Sequence, residues 1–205
     1  MKTTSYPLTC EGERWMAIMK YPEMILLPIL MFLDYFLTVF AAVQKEKKYS
    51  RHFKIKHYEL NPNWQKSISK TQWINPRHIL LTLSITTLLI VAVEYFNLSA
   101  SMVALLEGCL FIVFGLVIGR HISNILIFWY VGRMPENISG EVEMSHTLML
   151  YFSLFQYMGF LLPMTLILVF TKSPFSLGGI LGVLILAFVH LNWIKKYNKS
   201  QKHTS

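Results

Sequence analysis

Apolar residues fill long, nearly unbroken runs along this chain, and the polar residues gather between them. A helix crossing a hydrocarbon core of about 30 Å needs about 20 mostly apolar residues. Five stretches qualify: 24–43, 78–96, 101–121, 146–171 and 177–194. The third stays apolar to about Val131, and a helix of that length would reach about 46 Å. Its crossing is expected to end near Arg120 and His121. Residues 122–131 would then run on past the membrane or lie along its surface. The expected fold class is all-α: an integral membrane bundle of about five transmembrane helices.

Charge between the runs predicts orientation. The connection 44–77 holds Lys45, Lys47, Lys48, Arg51, Lys54, Lys56, Lys66, Lys70 and Arg77, and the tail 195–205 holds Lys195, Lys196, Lys199 and Lys202. The connection 97–100 has no basic residue and 172–176 has only Lys172. Positive loops stay in the cytoplasm, so five crossings place segment 1–23 outside and both loop 44–77 and the tail inside. Glu11, Glu13, Arg14, Lys20 and Glu23 precede the first run and no small-residue cleavage site follows it, so that run reads as a retained helix rather than a signal peptide.

Small and polar side chains at helical spacing predict the contact faces, because apolar residues do not drive helices together in lipid. The first run presents Met31, Asp34, Tyr35, Thr38, Ala41 and Ala42 on one side, with Phe32, Leu33, Phe36, Leu37 and Phe40 opposite. The second aligns Ser84, Thr87, Val91 and Glu94; the third Ala104, Gly108, Ile112, Gly115 and Gly119. The fourth aligns His146, Met149, Ser153, Gln156 and Pro163, the proline marking a kink, and the fifth Gly178, Gly182 and His190. Gly115/Gly119 and Gly178/Gly182 are the candidate faces for a homo-oligomer. Counted from the inner ends, Asp34, Thr87 and Gln156 fall at a similar depth of about 15 Å, so they are expected to meet near the midplane.

Composition narrows the classes. The chain has 205 residues, 54% hydrophobic and only 15% charged, well below the roughly 25% charge of soluble domains. The net charge of +8 lies beside apolar runs, which points to anionic lipid headgroups at loop 44–77 and away from nucleic acid. Tyr49, Phe53, Tyr58, Trp64 and Trp73 in that loop are expected in the headgroup region. Cys10 and Cys109 form no disulfide framework, and His52, His57, His121, His146 and His190 show no metal-ligand spacing. No nucleophile elbow and no phosphate-binding loop is present, and no cofactor is indicated. The sequons at Asn97, Asn137 and Asn198 lie near or inside the membrane surface and carry little weight.

Asp34 is the residue least expected in its place, since an aspartate at mid-helix costs about 2.5–3.5 kcal/mol to insert. It serves either as a charged site or as a protonated, hydrogen-bonded lock between helices. Glu94 and Glu107 flank the short outer connection, where they would sit in a vestibule or snorkel to water. Asp34-Tyr-Phe-Leu-Thr38, followed by Glu59-Leu-Asn61-Pro62, resembles small prokaryotic membrane-protein families of unknown function that pair a helical Asp-x-x-x-Thr with a downstream Glu-x-Asn-Pro. The resemblance covers 34–62, with a longer, lysine-rich gap here. It implies no activity, but implies that Glu59 and Asn61 belong with Asp34. Asn-Pro reads equally well as a simple turn.

Three functions follow as expectations. The first is binding or translocation of a cation or small polar solute through a centre formed by Asp34, Thr38, Thr87, Glu107 and Gln156. The second is a membrane-embedded enzyme acting on a lipid or hydrophobic substrate at the cytoplasmic interface, using Glu59, Asn61, Arg120, His121 and His146. The third is a non-catalytic subunit or scaffold. A bacterial inner membrane is the expected location.

Overall fold

The computed structural model describes residues 21–47, 50, 52–55, 58–137 and 139–202. Segment 1–20 with Cys10, together with Lys48, Tyr49, Arg51, Lys56 and His57, lies outside the described residues. Among the described residues five helical stretches are long and apolar enough to cross a membrane, namely Pro22–Glu46, Pro76–Tyr95, Ala100–Arg133, His146–Thr171 and Pro174–Lys199. They suggest a multi-pass membrane protein. A 3-10 turn, Pro22–Ile25, leads into α1 (Leu26–Lys47). The strand β1 (Phe53–Ile55) and the short α2 (Gln65–Ser69) follow, then α3 (Pro76–Tyr95) and α4 (Ala100–Arg133). The strand β2 (Val142–Met144), α5 (His146–Gly159), α6 (Leu161–Thr171) and α7 (Pro174–Lys202) complete the chain.

Local chemistry sets the helix ends. Pro22, Pro76 and Pro174 stand where a missing N–H costs nothing and a fixed φ helps. Asn75 caps α3 by accepting from the Arg77 N–H at 3.0 Å, and Ser145 caps α5 by accepting from Leu148 at 3.2 Å. The fourth span breaks at Phe160, between α5 and α6. Pro163 explains the position: it has no N–H to offer the carbonyl four residues back, that of Gly159, and its ring crowds that carbonyl.

α4 runs on past Arg120 and His121, one of the two courses expected for residues 122–131. It continues unbroken for 34 residues, about 51 Å, because Phe128 and Val131 bury against Ala41 of α1. The helical tail likewise carries α7 on to Lys202. The all-α expectation needs one small correction, since β1 and β2 form a parallel two-stranded ladder pairing Phe53 with Val142 and Ile55 with Met144. This ladder joins the loop after the first span to the loop after the third, so both lie at one end of the bundle. Tyr21, Met24, Val93 and Val103 close the opposite end.

α4 and α7 form the central pair. A Cβ on Gly178 would stand 2.0 Å from the Leu105 oxygen, and one on Gly108 2.0 Å from the Phe175 oxygen. The two backbones touch, which only glycine permits. Gly178 and Gly182 thereby pack against α4 within the chain, whereas among the described residues nothing lies within 4 Å of a Cβ built on Gly115 or Gly119. α1 packs on α4, α3 on α1, and α5 and α6 on α7. Phe32, Leu33 and Phe36 are exposed on the outer side of α1, as their stripe predicts.

Two expected faces are wrong. On α3 the buried side is His78, Thr82 and Val93, while Ser84, Thr87, Val91 and Glu94 are exposed. A serine or threonine can bond its own helix carbonyl four residues back, so its polarity does not force it inward. On α5 the buried side is Leu150, Ser153, Leu154 and Tyr157, which turns Gln156 outward. The expected stripe there was displaced by one residue. Asp34, Thr87 and Gln156 therefore do not meet.

Candidate functional site

The segment after β1 folds back into the mouth of the bundle. Leu60 is buried among Leu150, Leu154, Ala187 and Ile194, and Trp64 packs edge-on against Tyr35 and His78. Tyr58 and Trp64 thus pack against the helices, Tyr58 on Phe128 and Trp64 on Tyr35 and His78; Trp73 is 45% exposed, against Phe36. The Glu-Leu-Asn-Pro sequence makes the turn. The Asn61 N–H donates to Glu59 Oε1 at 2.6 Å, the Asn63 N–H donates to Asn61 Oδ1 at 3.0 Å, and the Asn61 carbonyl accepts from Trp64 and Gln65. The turn reading and the site reading of this motif hold together: the turn is what carries Glu59 inward.

Four side chains form a directed chain around His121. The Thr38 hydroxyl donates to the Asp34 carbonyl at 2.8 Å. Its proton is therefore spent, and at 2.9 Å it accepts from His121 Nε2. A neutral ring with its proton on Nε2 has a bare Nδ1, which accepts from the Tyr58 hydroxyl at 2.7 Å. Asn124 donates to the same phenol oxygen at 3.3 Å. Asp34 Oδ1 lies 3.3 Å from His121 Nε2, a hydrogen already held more closely by Thr38. The carboxylate oxygen is left with spare capacity and has no other partner among the described residues. Burial pushes the Tyr58 phenol well above its ordinary range, against an opposing pull from Arg120, so it stays a donor.

A second chain meets the first at Arg120. One guanidinium nitrogen donates to Ser153 Oγ at 2.5 Å. His190 Nδ1 donates to the Leu186 carbonyl at 2.9 Å, because a carbonyl only accepts. His190 Nε2 is then bare in the neutral ring and accepts from Ser153 at 3.0 Å. The guanidinium carbon lies 5.7 Å from the Tyr157 ring centroid. Arg120 Nε and the Tyr157 hydroxyl are buried with no hydrogen-bond partner among the described residues. Among the described residues no ion pair within 4 Å links Arg120 to Asp34 or Glu59.

These groups surround one cavity of about 260 Å³, lined by Asp34, Thr38, Glu59, Asn61, Arg120 and His121, with Tyr35, Trp64, His78, Tyr157, His190 and Trp193 completing the polar and aromatic wall. A wider pocket of about 470 Å³ lies beside it at the same end, against Lys45, Glu46 and Gln65. Glu59 and Ile68 border both, so they form the partition. Burial pushes the Glu59 carboxyl up to about 7, opposed by the Asn61 N–H and by Arg120.

That raised value predicts a pH effect. Between its ordinary 4.5 and about 7, the folded chain keeps a proton that the unfolded chain has released. Stability from this group is complete below the lower value and lost as pH rises through the upper one. Glu59→Gln keeps an oxygen for the Asn61 N–H and carries no charge. It is expected to match the wild type near pH 4 and to exceed it near pH 8, by on the order of 3 kcal/mol. Denaturation midpoints in detergent at the two pH values measure this, and parallel midpoints for the two proteins would refute it.

The structure brings together residues from two separate expectations. Asp34 and Thr38 of the solute centre share the cavity with Glu59, Asn61, Arg120 and His121 of the interfacial set. Thr87 and Gln156 are exposed. Glu107 is buried at the Tyr21 end, beside Val103, about 21 Å along α4 from His121. His146 lies off the cavity, 4.9 Å from the Tyr197 ring. Sequence reasoning missed Tyr58, His78 and Tyr157. The first passes for an interfacial ring in a basic loop, and the other two sit one residue or one turn off the stripes considered. Among the described residues no group of three or more His, Cys, Asp or Glu is arranged to hold a metal ion.

Fold and site together define a bundle of five long apolar helices with a cavity near one mouth lined by acidic and basic side chains. No protein-family model matches this chain, and neither a curated protein nor a solved structure shows significant similarity to it.

Proposed function

We propose that the bundle binds a small polar solute beside Asp34 and passes it across a cell membrane, the bacterial inner membrane, with loop 44–77 and the tail in the cytoplasm. The basic residues of that loop and tail support the orientation, and they suit anionic headgroups. The observation that carries the reading is the cavity itself: about 260 Å³, with an aspartate and an arginine whose hydrogen-bonding capacity is unfilled. Buried polar groups normally find partners, and an ionised pair without direct contact is costly in a low dielectric. A bound solute supplies what is missing. The volume lies below the ~300–1,000 Å³ of pockets for drug-sized ligands, which favours a small molecule over a lipid. A bare cation fits less well, since it would meet the fixed charge of Arg120. A span broken at Phe160 is a device that transporters use.

The enzyme reading keeps one specific support. Glu59 titrates near neutrality and shares the cavity with Arg120 and His121, which suits proton transfer.

The test uses the purified chain in nanodiscs. Thermal unfolding is followed by tryptophan fluorescence against amino acids, short carboxylates, amines, sugars and alkali cations at millimolar concentration. At least one polar solute is expected to raise Tm, because a ligand at a hundred times its Kd adds about 2.7 kcal/mol, and Asp34→Asn is expected to remove most of that rise. A panel in which nothing stabilises the wild type overturns the reading.

A further inference from the structure

We infer that the solute is a small zwitterion of amino-acid size, its carboxylate held by Arg120 and Tyr157 and its ammonium by Asp34. The inference rests on the proposed solute-binding role and assigns the substrate class of that site.

Unfilled hydrogen-bonding atoms record what a cavity is built to receive. Among the described residues the buried side-chain atoms without a partner are Asp34 Oδ1, Thr82 Oγ1, Thr86 Oγ1, Glu107 Oε1, Arg120 Nε and Tyr157 Oη. Three of these six belong to residues that line the one cavity. They divide by chemistry. Arg120 Nε–H can only donate, and the Tyr157 hydroxyl is a donor with no acceptor in reach. The two residues are neighbours: the guanidinium carbon lies 5.7 Å from the Tyr157 ring centroid, and Tyr157 is only 1% exposed. A guanidinium edge and a phenol together match two carboxylate oxygens. Asp34 Oδ1 can only accept while ionised, and His121 gives it no more than a shared hydrogen at 3.3 Å. That oxygen asks for a donor, and an ammonium brings three. Trp64 and Trp193 also line the cavity and offer aromatic faces that suit a cation.

Charge balance leads to the same class. Asp34 and Arg120 give the cavity one acidic and one basic side chain. A solute with net charge leaves one of them uncompensated in a low dielectric, whereas a zwitterion answers both. Burial raises the Glu59 carboxyl to about 7, so it adds little charge to this balance below neutral pH.

The experiment compares complete zwitterions with their halves. Nanodisc-embedded protein is titrated with L-alanine, L-glutamine, β-alanine and γ-aminobutyrate. N-acetyl-L-alanine tests the carboxylate alone, and L-alaninamide and potassium chloride test the cation alone. At least one zwitterion is expected to raise Tm, with each half-analogue at least tenfold weaker. Tyr157→Phe is expected to keep the ligand-free Tm, because its hydroxyl has no hydrogen-bond partner among the described residues, and to weaken the effective zwitterion about tenfold. Equal stabilisation by alaninamide or potassium, or unchanged zwitterion affinity in Tyr157→Phe, overturns the inference. Stabilisation by a sugar or other non-zwitterion alone overturns it while leaving the solute-binding role intact. Stabilisation by no solute at all overturns both.

Discussion

Gly178→Ala is expected to unseat α7 from α4, while Gly115→Ala leaves the bundle as it is. The added Cβ at 178 would stand 2.0 Å from the Leu105 oxygen and 2.9 Å from the Cys109 nitrogen. Both are backbone atoms, and no rotamer change moves them aside. The helices must separate, and the separation propagates along the pair. Gly108 has the reciprocal contact with Phe175, and Gly182 lies against the Cys109 oxygen. His190 and Arg120, which meet through Ser153, ride on the two helices. Overpacking of this kind costs about 1–3 kcal/mol when side chains can adjust, and the backbone clash places this case at the top of that range or above it. A Cβ at Gly115 meets nothing within 4 Å, and alanine favours a helix interior by roughly 0.5–1 kcal/mol over glycine. Unfolding midpoints in mixed micelles of increasing SDS fraction separate the two variants. Equal midpoints would show that α4 and α7 do not touch as described.

His121→Leu is expected to be the most damaging change among the polar side chains. His121 is 2% exposed and serves Thr38, Asp34 and Tyr58 together. Leucine fills much of the same space and bonds none of them. Each buried group left unsatisfied costs about 1–3 kcal/mol, although an unfolded chain in lipid also finds partners and average losses there are nearer 0.6 kcal/mol per bond. A loss of about 2–4 kcal/mol follows from the two hydrogen bonds removed, the Tyr58 hydroxyl left without its acceptor and the lost contact with Asp34. Tyr58→Phe takes one partner from the His121 ring nitrogen and a longer one, at 3.3 Å, from Asn124, and should cost about 1 kcal/mol. The comparison is informative because His121 and Tyr58 also stack near each other, at 5.8 Å. If packing alone mattered, the two variants would lose similar amounts.

Much of the architecture was legible in the chain because hydropathy reports burial in lipid directly. The five apolar runs became five long helices, and the outward phenylalanines of α1 are outward. The faces of α3 and α5 were not legible. A hydroxyl on a membrane helix has its own backbone to bond, so Ser84 and Thr87 carry little information about neighbours. On α5, Ser153 belongs to two overlapping stripes, one with Gln156 and one with Tyr157, and only packing against α7 decides between them. The Asp34–Thr38 and Glu59–Asn61 pairing was visible as a local pattern. Its meeting with Arg120 was not, because loop 44–77 gives no sign in composition that it folds back between helices. Basic and aromatic residues have the same signature whether they lie under headgroups or plug a bundle.

The distance along the chain between partners has a consequence for biosynthesis. Eighty-three residues separate Thr38 from His121, and sixty-three separate Tyr58 from it. A ribosome adding about 5–20 residues per second needs several seconds to supply that interval. The first span therefore enters the bilayer with its carboxyl unanswered and is carried by its own apolar content, a mean hydropathy of 2.2 over its best window. Loop 44–77 in turn waits outside until the third span delivers His121 and β2 arrives to pair with β1. The cavity is the last thing the chain can make, and a nascent chain stalled before residue 121 holds every first-loop component of it without the residue that joins them.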